Sequence, residues 1–273
     1  GVEHVGVLYS ATALREALGW LDAVFGRQSP PDAVVMRGGW IALLLAGIVA
    51  LAWPLAALAR PARAPVAGGP PLLARGRFWV AALLPAGLTP LLLAPFDTRF
   101  LPVLVADYLA LHFAVYGALV LGLLGLWGQL GGARGGQMAR GALVAAAVAG
   151  YGILVFGAAM DRYVTSFFPH PGRAAIIAAM AAGAVPYMLS EALLAERAGT
   201  PFWRGLVARG AFLLSLGLAV ALDPERLFFL LIILPVVLLF FVLFGAMGGW
   251  VARASGQAGA AGVGLGLFLA WAL

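Results

Sequence analysis

The sequence contains no cysteine. That absence excludes a disulfide framework, thiolate metal ligands and a cysteine nucleophile, and it removes any marker of redox compartment. Lysine is missing too, since all 17 basic residues are arginine, a bias that suits a high-GC bacterial genome. Charge is scarce: 10% of the 273 residues are charged and 63% are hydrophobic, with a mean hydropathy of +1.02. An ordinary soluble globule is excluded, and the chain reads as a polytopic membrane protein. His4, His112 and His170 lie far apart, no H-E-x-x-H occurs, and the Gly clusters carry no G-K-[ST]. Neither a metal, a nucleotide nor any other cofactor is therefore expected. The net charge of +6 comes from arginines that flank apolar runs instead of clustering. The lipid bilayer is the expected partner, and nucleic acid is not.

What is present is a series of apolar runs long enough to cross about 30 Å of hydrocarbon at about 1.5 Å per residue. They predict an all-α, polytopic transmembrane helical bundle of about eight spans. The spans are Trp40 to Ala59, Phe78 to Phe96, Leu101 to Trp127, Gly141 to Met160, Ala174 to Ala195, Gly205 to Leu222, Leu227 to Trp250 and Ala258 to Leu273. The last is Gly-rich and ends without a polar stop. Two domains and a linker follow: a short N-terminal segment at 1–26, a Pro- and Gly-containing linker at 27–39, and the membrane domain at 40–273. Small residues recur at helix-packing spacing in Gly141 to Gly150, Gly245 with Gly249, and Gly262 with Gly266, which predicts close helix contact.

The connections alternate in character. Arg60, Arg63, Arg75 and Arg77 mark one, Arg134 and Arg140 a second, and Arg197, Arg204 and Arg209 a third. By the positive-inside rule these face the cytoplasm of a bacterial inner membrane. The intervening loops "DTRFLP", "DRYVTSFFPHPGR" and "DPER" carry acids beside their arginines. They and the N-terminal segment are predicted outside, with His170 in an interfacial loop. The first residue is Gly, which predicts further residues upstream.

The opening stretch has a different make-up. Within "SATALREALGWLDAVFG", Leu14, Leu18, Leu21 and Phe25 fall on one helical face, with Ser10 or Thr12 as N-cap and Gly26 as stop. Such a helix needs a partner core, which the few residues before it cannot supply. A His on a loop in "EHVGVLYS", followed by a final helix ending "WLDAVFG", resembles the C-terminal edge of an α/β-hydrolase catalytic domain. In that family the nucleophile, acid and base follow in the order Ser, Asp or Glu, then His. The resemblance covers about residues 1–26 and implies that His4 is a triad base, accepting a proton from a serine hydroxyl. The sequence departs from the family pattern because it holds no G-x-S-x-G. The resemblance thus implies an upstream hydrolase domain of the same protein, carrying the nucleophile and acid.

Ionisable groups inside spans are costly and mark candidate sites. Tyr108, His112 and Tyr116 are spaced i, i+4, i+8 and form one polar stripe, open to reading as a cavity wall, a proton path, a lipid headgroup slot or a packing hydrogen-bond set. Asp107 lies about 140° around the helix from His112, so an arginine of the outer loops, Arg99 or Arg162, is its expected partner. Glu191 and Arg209 lie at similar depth on successive spans and are predicted to pair. Tyr151 and Tyr187 extend the polar interior, while Pro85, Pro90 and Pro95 predict a kinked second span.

Three functions fit these features. The first is the membrane domain of a serine hydrolase whose catalytic domain sits on the outer face and takes an amphiphilic ester, thioester or amide. The second is a transporter or channel that uses the polar stripe. The third is an accessory subunit bound to a membrane-protein partner.

Overall fold

The computed structural model describes residues 10–60, 70–131 and 135–273, and among them every regular element is helical. The chain divides into two compact units, Gly1–Leu44 and Leu45–Leu273. His4 lies outside the described residues.

In the first unit, helix α1 (Ala11–Phe25) follows the sequence signals closely. Ser10 is the N-cap, its hydroxyl accepting from the Ala13 amide at 3.4 Å. Gly26 ends the helix at φ 61°, a left-handed turn that a side chain would strain. The Asp22 carboxylate then fastens the exit by accepting from the Ser29 amide at 2.8 Å and its hydroxyl at 2.9 Å. No residue of α1 is buried, and Leu14, Leu21 and Phe25 are exposed.

Helix α2 (Gly38–Ala56) runs from the first unit into the second and ends in a 3-10 turn at Ala57–Ala59. Then come α3 (Arg75–Leu93), α4 (Ala106–Leu126) and α5 (Gly135–Gly150). Helix α5 passes through a π-helical segment, Tyr151–Phe156, into α6 (Gly157–Tyr163). Helices α7 (Ala174–Ala195), α8 (Phe202–Leu222), α9 (Pro224–Leu227), α10 (Leu230–Ser255) and α11 (Ala258–Ala272) complete the chain. Seven spans among the described residues are long and apolar enough to cross a membrane, the make-up of a multi-pass helical membrane protein. Helical backbone is what such runs must adopt, because hydrocarbon offers no partner for N–H and C=O groups.

The eighth expected run is also helical, but α11 has 15 residues and is shorter than the others. Its glycines explain how deeply it is packed. A Cβ on Gly262 would lie 2.5 Å from the Met188 carbonyl oxygen, and one on Gly266 2.6 Å from Val185 Cα, so α11 rests directly on the α7 backbone. On the other side of α7, a Cβ on Gly117 of α4 would meet the Tyr187 amide at 2.6 Å. Gly141 makes only ordinary contact, and Gly150 faces open space. The seam along α5 is closed from the other side, since a Cβ on Gly264 of α11 would lie 2.5 Å from the Ala145 carbonyl oxygen. The prolines divide: Pro85 and Pro90 lie inside α3, whereas Pro95 falls beyond its end.

Within the second unit, one end carries the arginine-rich connections. Arg197 donates to the Gln129 side chain at 3.0 Å, and Arg204 donates to the Leu73 carbonyl at 2.8 Å. Arg204 also lies over the Phe78 ring at 4.9 Å and Arg77 over Trp127 at 5.7 Å. These are cation-π contacts of the kind that suits an interfacial aromatic belt. Arg197 loses part of its hydration there, and burial pushes its pKa down from the usual arginine value.

Candidate functional site: two polar clusters in one bundle

The residues of the predicted stripe are all buried on α4, but they do not act as one line. The Tyr108 hydroxyl lies 3.4 Å from His112 Nδ1, and His112 Nε2 lies 3.0 Å from the Ser215 hydroxyl of α8. The Tyr116 hydroxyl turns away and donates to the Ala82 carbonyl at 3.1 Å. A neutral imidazole donates through one nitrogen and accepts through the other, so it can join two hydroxyls in either direction. The first cluster is therefore the chain Tyr108, His112, Ser215. Ser215 had no sequence signal beyond a hydroxyl in an apolar run.

Asp107 does not find the arginine expected for it. Its carboxylate accepts from the Phe100 amide at 3.1 Å and from the Tyr108 amide at 2.8 Å. The tight turn before α4, where Val105 sits at φ 56°, brings the Phe100 amide back over the helix start. A carboxylate at a helix N-terminus is favoured by the free N–H groups and the helix dipole. Arg226 of α9 pairs instead with the loop after α3, donating to the Asp97 carboxylate at 3.1 Å and the Thr98 hydroxyl at 2.7 Å. Asp107, Tyr108 and Arg226 help to line a cavity of about 300 Å³, and Tyr108 and Arg226 also border a second of about 130 Å³. His170, at the loop before α7, is exposed and accepts from the Gly172 amide at 3.2 Å.

The second cluster contains the expected pair. Glu191 Oε1 lies 3.0 Å from Arg209 Nε, an ion pair whose atoms are not aligned as a hydrogen bond. The same guanidinium donates through Nη2 to Glu196, and Arg253 reaches the other oxygen of Glu196 at 3.3 Å. Four charges thus alternate in sign at the arginine-rich ends of α7, α8 and α10. Glu196 and Arg253 escaped the sequence reading because both stand beside span ends, where solvated charges are common. A usable signal existed: Gly245, Gly249 and Arg253 are spaced i, i+4, i+8. A Cβ on Gly245 would lie 2.6 Å from Arg209 Cζ, and one on Gly249 2.6 Å from Glu196 Oε2. Those glycines were read as a packing pair, and what they admit is charge.

Between the clusters stands a set of aromatic rings. Phe212 stacks on Phe113 at 4.9 Å, contacts Tyr187 at 4.2 Å and meets the His112 ring edge-on at 5.6 Å. The Tyr187 hydroxyl is fully buried and has no hydrogen-bond partner among the described residues. Beside it lies a void of about 10 Å³ lined by Tyr116, Tyr187, Ser190 and Glu191 among others, near the smallest volume that holds one water. Tyr151 lies apart, donating to the Ile48 carbonyl at 2.6 Å. Among the described residues, no group of three or more His, Cys, Asp or Glu side chains could hold a metal.

No protein family, curated protein or solved structure matches the chain. The chemistry of these clusters and of α1 therefore carries the functional reading.

Proposed function

We propose that this chain is the membrane domain of a larger serine hydrolase of the α/β-hydrolase kind, whose catalytic domain lies on the outer face of a bacterial inner membrane. The bundle anchors that domain close to amphiphilic esters, thioesters or amides, and His4 serves as its triad base. The observation that carries this reading is α1. It is capped at both ends, yet its apolar residues Leu14, Leu21 and Phe25 are exposed. An apolar stripe of that kind is made to lie on a core. The test is fluorophosphonate labelling of the protein purified from its native membrane, followed by peptide mapping. A labelled serine in an upstream G-x-S-x-G, with labelling lost in His4→Ala, is the expected result. An absence of labelling, or full labelling of the variant, sinks the proposal.

A second reading, proton or ion passage, draws on the Tyr187 hydroxyl, buried between two polar clusters without a partner among the described residues. A single water in the void beside it would join Tyr187 to Glu191. In this reading Tyr187→Phe abolishes pH equilibration in proteoliposomes and leaves the thermal midpoint in place. Unchanged flux removes it.

A further inference from the structure

Helix α2 is attached to the rest of the second unit in an unusual way. At one point the Tyr151 hydroxyl donates to the Ile48 carbonyl. At another, the 3-10 turn after α2 meets α10. Between these attachments lies a cavity of about 720 Å³. One wall is Ala52 and Ala56 of α2, the facing wall Leu143 and Ala147 of α5, and the floor Met247 and Val251 of α10. Among the described residues, the charged ones that line it are Arg60 and Arg140, at the arginine-rich end.

The size, shape and chemistry of this space define its occupant. Its volume falls in the range of roughly 300–1,000 Å³ typical of ligand sites. Along α5 and onto the first residue of the π-helical segment it extends from Arg140 to Tyr151, eleven residue steps, or about 16 Å at about 1.5 Å per residue. That length is close to half of the roughly 30 Å hydrocarbon core, the depth of a single leaflet. An apolar gap of this size cannot be satisfied by water, and left empty it forfeits the dispersion contacts of every side chain that lines it. Hydrocarbon is what fits the walls. The two guanidinium groups at the mouth then select among lipids by charge, because arginine binds phosphate oxygens in paired geometry and anionic head groups add coulombic attraction.

We infer that this cleft is a binding site for one anionic phospholipid of the leaflet on the Arg60 and Arg140 side. An acyl chain fills the gap between α2, α5 and α10, and the phosphate-bearing head group rests on the two arginines. The lipid completes the packing of α2, whose most apolar window is only 17% buried among the described residues.

The test uses the full chain purified in mild detergent and exchanged against vesicles of phosphatidylglycerol or phosphatidylcholine, with native mass spectrometry reading the lipid retained. Phosphatidylglycerol is expected to be kept with a preference on the order of tenfold. In the double variant Arg60→Gln/Arg140→Gln that preference falls to near unity while the thermal midpoint stays measurable. Ala147→Phe, which fills the cleft without touching the arginines, is expected to reduce retention of both lipids. Equal retention of the two lipids by the unaltered chain overturns the inference, as does an intact preference in the double variant or an unchanged retention in Ala147→Phe.

Discussion

Helices α2 and α11 teach opposite lessons about what holds a membrane bundle together. Helix α2 is a span of 19 residues with a mean hydropathy of 2.1, yet only 17% of its most apolar window is buried. Helix α11 has 15 residues and is the weaker span by length. Nevertheless its Ala261, Leu265, Phe268 and Leu269 are all but inaccessible. Hydropathy says that a run prefers hydrocarbon to water and says nothing of whether that hydrocarbon is lipid or protein. Small residues decide the second question, because backbones approach only where no Cβ intervenes. Gly262 and Gly266 give α11 its seat on α7, whereas Ala52 and Ala56 leave α2 facing a cleft.

If this contrast is right, perturbations should scale with closeness of packing and not with hydropathy. The largest loss is expected at Arg209, which the glycine face of α10 encloses. Arg209→Gln leaves Glu191 and Glu196 without their shared cation and should cost about 3–5 kcal/mol of unfolding free energy, measured by denaturation in mixed micelles. Next comes the α11 seam itself. Gly262→Leu sets a side chain against the Met188 carbonyl and should destabilise by about 1–3 kcal/mol, with the same readout. Ser215→Ala removes the hydroxyl beside His112 Nε2 and should lower stability by about 1–2 kcal/mol, the cost of an unsatisfied buried nitrogen. The smallest effect is expected on the exposed face of α2, where Leu51→Ala should change stability by less than about 0.5 kcal/mol. A Leu51 variant as damaging as Gly262→Leu would break the comparison.

The helices were legible in the sequence because apolar run length and the absence of backbone partners in lipid leave one solution. The run Ala174 to Ala195 coincides with α7, and Ser10 and Gly26 bound α1 as their residue types require. The Glu191 and Arg209 pair was legible for a similar reason, since two opposite charges at equal depth have few other partners. The partners of Asp107 were not, because they are main-chain amides, and no side-chain pattern announces which amide a turn will deliver. Glu196 and Arg253 were hidden by position. Two glycines one turn apart can admit a neighbouring backbone or a neighbouring guanidinium, and the letters alone do not distinguish the two.

The π-helical segment Tyr151–Phe156 gives α5 and α6 a property that neither helix has by itself. Each residue of α-helix turns the chain by about 100°, and a π segment accommodates one residue more than α geometry would over the same rise. Everything beyond it is therefore set to a phase that an uninterrupted helix could not keep. Gly157, whose Cβ would lie 2.6 Å from the Phe167 ring, depends on that phase. So does Asp161, whose carboxylate accepts from the Phe167 amide at 2.8 Å. Deleting any single residue from 151–156 would restore a regular helix and swing both groups off their partners, whereas substitution in place would leave the phase untouched. Over evolutionary time this segment should tolerate changes of letter far more readily than changes of length.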